Sequence, residues 1–104
     1  MYIIIETTTD DEIVAKRIAK NILEDHLASC IQTINNITST YTWNDKNVYS
    51  KEFLIRIKTD SNLSEKVFKL IKKLHNYDIP ELISYTFDIN SNKYNKWFDQ
   101  SLDK

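Results

Sequence analysis

Four segments of the chain show the side-chain pattern of β-strands. Residues 2–8 are mostly β-branched or apolar, which is typical of a largely buried strand. Residues 37–43 and 49–58 alternate between two faces on either side of residues 44–47, so they predict one long hairpin within residues 30–59. Residues 82–89 return to the strand pattern, which predicts a sheet of four strands.

Apolar residues at helical spacing predict a first helix after the first strand. Asp10 and Asp11 are placed to cap its N-terminus, and it is expected to run to about Asp25 or His26. Its apolar stripe consists of Ile13, Val14, Ile18 and Ile22.

A second and a third helix are predicted after the hairpin. Asn62 and Glu65 resemble a capping box at the start of the second helix. Residues 93–102 are predicted to form a short third helix. The apolar face of the second helix consists of Leu63, Val67, Leu70, Ile71 and Leu74. The order βαββαβ plus a C-terminal helix predicts an α+β fold of the ferredoxin-like, split βαβ type, as one domain over residues 1–104.

The length of the hairpin predicts an oligomer. Each arm spans roughly a dozen residues, or about 40 Å, whereas a compact domain of this size is about 33 Å across. The arms should therefore carry Tyr41, Trp43 and Tyr49 beyond the domain, where long exposed edges favour association with another copy. The alternative is a bent or bulged hairpin that folds over its own core.

Composition narrows the class of protein. The chain has 104 residues, 41% hydrophobic and 28% charged, with a net charge of −1, so it is globular and carries no strong field for nucleic acid or acidic membranes. The absence of glycine excludes glycine-rich phosphate loops. A lone cysteine, Cys30, and an apolar opening too short for a signal peptide predict a cytoplasmic protein that does not enter membranes.

The loop of residues 75–81 holds the strongest candidate for chemistry. His75, with Asp78 or Glu81 nearby, has the donor types of a site for a first-row divalent metal. The alternative is structural: Pro80 ends the second helix, Tyr77 plugs the sheet, and His75 lies at a helix C-terminus where positive charge is favoured.

Single residues elsewhere leave two interpretations open. Cys30 is a candidate nucleophile or thiolate ligand, although buried cysteines more often act as small hydrophobes. Lys58 and Thr59 could bind an anion with the N-terminus of the second helix, or Lys58 could be a solvated charge. Glu52 is either a buried acid or an ion-pair partner at a rim.

Taken together, these stretches resemble the CutA family of divalent-cation tolerance proteins over nearly the whole chain. The matching pieces are His26-Leu27-Ala28-Ser29-Cys30-Ile31, Ser39, Tyr41, Trp43, Glu52, Ile57-Lys58-Thr59, His75-Asn76-Tyr77-Asp78-Ile79-Pro80-Glu81-Leu82-Ile83, Tyr94 and Trp97. The resemblance implies a homotrimer built through the hairpin, similar in architecture to PII signalling proteins, and a link to tolerance of copper and other divalent cations. Some members of the family use a first-strand cysteine as a metal ligand, and the corresponding region here reads Glu6-Thr7-Thr8.

The resemblance also implies a cleft between subunits that holds a small ligand or metal ion. It places His75 there as the metal ligand, with Cu(II) or another divalent cation weakly bound. The other expected cleft residues are Cys30, Trp43, Glu52, Lys58, Tyr77, Glu81, Tyr94 and Trp97. The predicted function is thus a trimeric, non-enzymatic binding or signalling module that responds to divalent cations. The alternative is a small-molecule enzyme with an intersubunit active site around His75. RNA binding is disfavoured because the third strand lacks a basic, aromatic motif.

Overall fold

Four strands and three α-helices make up the computed structural model, which describes residues 1–102. The elements are β1 (Tyr2–Thr9), α1 (Glu12–Glu24), β2 (Cys30–Trp43), β3 (Lys46–Asp60), a 3₁₀ turn (Ser61–Leu63), α2 (Ser64–Leu74), β4 (Ile83–Thr86) and α3 (Asn92–Gln100). The predicted order βαββαβ with a terminal helix is confirmed.

The strands form one antiparallel sheet in the order β2-β3-β1-β4. Register places Glu6 opposite Arg56 on β3 and opposite Ile83 on β4, so β1 is, with β3, one of the two central strands of the split βαβ arrangement. The side chains of Ile3 and Ile5 point to the face that α1 and α2 cover. The opposite face, which carries Ile4 and Glu6, is called the open face below.

The core lies between α1, α2 and the covered face of the sheet. Ile5, Ile18, Ile55, Ile57 and Ile71 are fully buried there, because the helical and strand periods of the sequence place these apolar side chains on facing surfaces. Asp11 caps α1 by accepting hydrogen bonds from the N–H groups of residues 13 and 14, as the sequence predicted. No helix described within residues 1–102 is long and apolar enough to cross a bilayer.

The predicted capping box of α2 is wrong. The Asp60 side chain accepts a hydrogen bond from the Asn62 N–H and starts the 3₁₀ turn, so Asn62 and Leu63 lie before the α-helix. The helix itself begins at Ser64 without a side-chain cap.

The last strand is also shorter than predicted. It ends at Thr86, because after the hydrogen bond from Phe87 N to Tyr2 O the chain leaves the sheet. The Phe87 ring then packs near Tyr2 and Phe98, which joins α3 to the open face.

The hairpin of β2 and β3 extends beyond the core. Asn44 and Asp45 form its two-residue turn with φ values of 52° and 63°, the left-handed geometry that suits a tight hairpin. The molecule measures 47 × 26 × 21 Å, so the hairpin does not fold back over the core. It is bulged, however: Ile34 pairs with Leu54 but Ile37 pairs with Glu52. Tyr41 and Trp43 consequently share the open-face side with Glu52, while Tyr49 points to the other side.

Candidate ligand sites

The predicted cleft residues fall into two separate groups within one protomer. His75, Tyr77, Glu52 and Glu81 lie around the base of the hairpin, and we call them the hairpin-base cluster. Lys58, Cys30, Tyr94 and Trp97 lie near α3. Glu52 and Lys58 are six residues apart on β3, or roughly 20 Å along the strand. Trp43 belongs to neither group, since it stands at the tip of the hairpin with 54% of its surface exposed.

A hydrogen bond from the Tyr77 hydroxyl to Glu52 Oε2, 2.7 Å long, holds the hairpin-base cluster together. Glu52 is only 6% exposed, so its carboxylate is a buried acid, which was one of the two expectations. Burial, and then the bond to Glu52, raises the pKa of Tyr77 well above its usual value. Tyr77 therefore stays protonated and acts as a hydrogen-bond donor to the carboxylate.

Both ring nitrogens of His75 are hydrogen-bonded. The Tyr77 N–H donates to Nδ1 over 2.9 Å, so Nε2 carries the proton and donates to the Thr8 carbonyl at 2.8 Å. Burial lowers the pKa of His75, which favours the neutral ring. His75 also caps α2: its N–H bonds to the carbonyl of Ile71, and its backbone turns to an extended conformation. Because α2 ends at Leu74, well before Pro80, the proline does not terminate this helix.

Glu81 lies close enough to Glu6 and Glu52 for their charges to affect its pKa. Partial burial first, and then the charges of Glu6 and Glu52, raise the pKa of Glu81. The Glu6 carboxylate is itself paired with Arg56, with 2.9 Å between Arg56 Nε and Glu6 Oε2, and the Tyr85 hydroxyl donates to the same oxygen over 3.0 Å. No local sequence pattern predicts this Glu6–Arg56–Tyr85 cluster, because it depends on the register between β1, β3 and β4.

A second group of hydrogen-bonded side chains, also not predicted from the sequence, links the loop after α2 to the end of β1. Thr9 Oγ1 donates to Asn76 Oδ1 over 2.6 Å, and Asn76 Nδ2 donates to Asp10 Oδ1 over 2.8 Å. These bonds fix the loop that carries His75 and Tyr77. The position of Asn76 between those two residues was the only signal of its role in the sequence.

A cleft of about 420 Å³ lies on the open face beside α3, and we call it the α3 cleft. Lys58 and Tyr94 line it together with Ile4, Phe87, Asp88 and Ile89. Cys30 pairs with Lys58 across the strands, and the Tyr94 and Trp97 ring centroids are 5.4 Å apart.

Lys58 does not lie near the N-terminus of α2, contrary to one expectation. It points to the open face, whereas α2 packs on the covered face, and the Thr59 hydroxyl is buried in a bond to the Leu27 carbonyl. The anion site predicted from Lys58, Thr59 and α2 is therefore wrong.

Residues 3–101 match the model of the CutA1 divalent ion tolerance protein family. The chain belongs to this family. It is 31% identical over 94 residues to the divalent-cation tolerance protein CutA of Thermus thermophilus, covering 90% of this chain and 91% of that protein. It is also 31% identical over 99 residues to the chloroplastic protein CutA of Arabidopsis thaliana, covering 95% of this chain but 54% of that protein.

A solved CutA structure shares the fold over almost the whole chain. It is described as the periplasmic divalent cation tolerance protein CutA of Archaeoglobus fulgidus, and it aligns with a TM-score of 0.93 and 28% identity over 99% of this chain and 100% of that chain. CutA relatives therefore carry different compartment names, periplasmic and chloroplastic among them. The family name describes tolerance of ions rather than a reaction.

A divalent cation does not fit the CutA hairpin-base cluster as it stands in one protomer. The described part of the chain holds no group of three or more His, Cys, Asp or Glu side chains arranged to hold a metal ion. His75 has no free ring nitrogen, because Nδ1 accepts from Tyr77 and Nε2 donates to Thr8. A cation could reach His75 only by breaking one of these two bonds.

Proposed function

We propose that this CutA protein is a homotrimeric binding and signalling module in the response to divalent cations, with copper as the principal ion. Family membership supports the link to cations. The observation that carries the oligomer is the hairpin, which projects from the core with Tyr41 and Trp43 45% and 54% exposed. Side chains of this size at a projecting edge are typical of a surface that another chain covers.

The trimer is proposed to form through the hairpins, in an arrangement like that of PII proteins. β2 is an edge strand of 14 residues, so its outer backbone groups have no partner strand within the described sheet. Pairing with another protomer would satisfy them. Light scattering across a dilution series is expected to give three chain masses at micromolar concentration, and a stable monomer would contradict the proposal.

Trp43 is proposed to lie in the interface. Trp43→Ala should weaken assembly by several kcal/mol, since large rings at interface centres dominate association energies. Lys69→Ala, on the exposed side of α2, is the control and should leave the mass unchanged. The result against the proposal is a Trp43→Ala protein that keeps its oligomeric mass but loses thermal stability, because Trp43 would then act within the protomer.

The ligand cleft is proposed to form between protomers. In a single chain, the expected cleft residues lie in two separate groups, and Trp43 lies apart from both at the hairpin tip. The projecting hairpin is the element that can bring Trp43 to another protomer. An enzyme around His75 is less well supported, because the candidate nucleophile Cys30 pairs with Lys58 near α3 rather than lying beside His75.

Cation binding at His75 is proposed to be weak, because an incoming ion must displace the Tyr77 N–H or the Thr8 carbonyl. Calorimetric titration of Cu(II) should show weak binding to wild type that His75→Ala abolishes and that decreases as pH falls through the imidazole range. His26→Asn is the control for the second histidine. Equal binding by wild type and His75→Ala would remove His75 from the site.

The proposed location is the cytoplasm, and the proposed partners exclude nucleic acid and membranes. The single Cys30 and the net charge of −1 support this. Electrophoretic shifts with generic RNA or DNA should be absent at physiological salt, and a salt-sensitive micromolar complex would contradict the exclusion of nucleic acid.

A further inference from the structure

A second cleft, of about 430 Å³, lies between α2 and the turn that follows α1, and we call it the α2 groove. Its volume falls within the range of ligand pockets in proteins. The residues that line it are Asp25, Leu27, Lys66, Lys69, Leu70 and Lys73. None of them belongs to the hairpin or to the proposed ligand cleft, so the α2 groove is a separate surface of the protomer.

The three lysines of the α2 groove, Lys66, Lys69 and Lys73, share one face of α2, and we call them the groove lysines. At 3.6 residues per turn they fall within a sector of roughly 60°, and about 10 Å of helix axis separates the first from the last. Leu27, which is 6% exposed, and the half-buried Leu70 give the groove an apolar floor. A row of exposed positive charge therefore follows one edge of a partly apolar groove.

The charge of the groove lysines is not neutralised by the protein. Within residues 1–102 none of them takes part in an ion pair, whereas α1 pairs its lysines along the helix: Lys16 Nζ lies 3.2 Å from Glu12 Oε1, and Lys20 Nζ lies 3.9 Å from Glu24 Oε1. Like charges three and four residues apart repel each other, so α2 keeps a repulsion that α1 avoids.

The acids near the α2 groove do not offset this row. Glu65, in the first turn of α2, lies outside the lining, and Asp25 is the single carboxylate within it. Three ammonium groups face one carboxylate, which leaves an excess of positive charge available to an anion.

We propose that the α2 groove binds an oligophosphate chain, either free or as part of a nucleotide. Such a chain carries negative charge along its whole length, and its many oxygens accept hydrogen bonds, which suits ammonium donors arranged in a row. A single phosphate reaches fewer of the groove lysines. Asp25 repels every anion, so only a ligand with several negative charges gains enough from the lysines to bind well.

This inference goes beyond the proposed function and depends on neither the trimer nor the cation. α2 packs on the covered face of the sheet, so the groove lies on the helical side of the protomer, whereas the proposed interface and ligand cleft use the hairpin and the open face. The groove would add a second ligand class, a phosphate compound, to a module proposed to respond to divalent cations.

The test uses the full chain with EDTA present, so that no metal ion bridges the protein and a phosphate. Calorimetric titration with sodium triphosphate should show saturable binding that weakens as the salt concentration rises. Orthophosphate should bind roughly tenfold more weakly, because it reaches fewer ammonium groups. Citrate and a tetraglutamate peptide should also bind roughly tenfold more weakly, because their carboxylates are branched or widely spaced rather than joined in one short chain.

ATP distinguishes the two sources of the phosphate chain. Tighter binding of ATP than of triphosphate assigns the groove to a nucleotide, whose base can cover the apolar floor at Leu27 and Leu70. Equal or weaker binding of ATP assigns the groove to a free oligophosphate.

Variants locate the binding. Lys66→Met, Lys69→Met and Lys73→Met should each weaken triphosphate binding by roughly threefold, and Asp25→Asn should strengthen it by about twofold. Lys72→Met is the matched control, because it removes the same charge from another face of α2 and should leave the affinity nearly unchanged.

Three results would overturn the inference. They are no binding of triphosphate, binding of citrate or tetraglutamate as tight as that of triphosphate, and a Lys72→Met variant that loses as much affinity as the groove variants. The probe series on the wild-type protein decides the matter even if a variant fails to fold. Light scattering and the Cu(II) titration test the trimer and the cation separately, so failure here is distinguishable from failure of the proposed function.

Discussion

Tyr77 and Glu52 are joined by a hydrogen bond of 2.7 Å between the Tyr77 hydroxyl and Glu52 Oε2, although 25 residues separate them in the chain. The bond ties the loop after α2 to the base of the hairpin. Because Glu52 is 6% exposed, few water molecules can replace the hydroxyl if it is removed.

Tyr77→Phe should therefore lower the free energy of unfolding by about 1.5–3 kcal/mol, the usual cost of removing a donor to a buried charge. Denaturant unfolding at fixed protein concentration measures this. Tyr49→Phe is the control, since Tyr49 is 76% exposed and should change little. Adding Glu52→Gln to Tyr77→Phe should recover part of the loss, because a neutral amide costs less to leave unpaired than a carboxylate. Equal stability of wild type and Tyr77→Phe would show that the bond contributes nothing.

Thr7 and Thr9 provide a matched pair of buried hydroxyls on β1. Both residues are 0% exposed, but Thr7 Oγ1 has no hydrogen-bond partner among residues 1–102, whereas Thr9 Oγ1 donates to Asn76 and accepts from the Asp11 N–H. Thr7→Val should raise the free energy of unfolding by about 1 kcal/mol, and Thr9→Val should lower it by roughly 1–2 kcal/mol. Denaturant midpoints of the two variants measure both effects. The two variants should change the free energy of unfolding in opposite directions. A change in the same direction would mean that packing rather than hydrogen bonding determines the result.

Stability should depend on pH through His75. Burial lowers the pKa of this histidine in the folded state below its ordinary value of 6.5. The unfolded chain therefore takes up the proton first as pH falls, so the stabilising contribution is present above pH 6.5 and is lost as pH falls through the lower folded pKa. His75→Gln should flatten the thermal-midpoint profile across this window, whereas His26→Asn should leave its slope unchanged. A slope that survives His75→Gln would assign the pH dependence to other groups.

Glycine in place of His26, just after α1, should stabilise the protein. His26 follows the helix with φ 56°, and the bonds from its N–H to Leu23 O and from Leu27 N to Ile22 O form the Schellman arrangement that favours glycine at this place. His26→Gly should raise the free energy of unfolding by roughly 0.5–1 kcal/mol. Asp25→Gly is the matched control, because Asp25 has φ −86° and should lose stability instead. Chemical denaturation ranks the variants, and a less stable His26→Gly would show that the imidazole makes contacts worth more than the backbone strain.

The sequence predicted the elements whose signal is local. Asp11, the apolar stripe of α1 and the turn at Asn44 and Asp45 depend on neighbours a few residues away, and they lie where the pattern placed them. The 3₁₀ turn was missed because Asp60 competes with Asn62 as a cap, and both residues suit that role.

The candidate site was harder to predict because it depends on distant pairings. The bond from Tyr77 to Glu52 joins two segments, and the sequence gives neither its geometry nor the occupation of both His75 nitrogens. Asp88 carries no signal in the sequence, since only the fold places it with Lys58 along the α3 cleft.

The bulge between Ile34 and Ile37 gives β2 one residue more than its pairing with β3 requires. Before the bulge, the even-numbered residues of β2 lie on the open-face side of the hairpin. After the bulge, the odd-numbered residues lie on that side, because one residue has been added. Deleting Asn36 would remove the bulge and let Asn35 pair with Phe53, so Ile37 would still pair with Glu52, and the side chains nearer the tip would keep their faces. Deleting two residues near the tip, one from each arm, would shorten the hairpin but preserve its pairing. The hairpin can therefore lose one residue of β2 at the bulge without re-pairing, whereas nearer the tip a loss from one arm must be matched by a loss from the other.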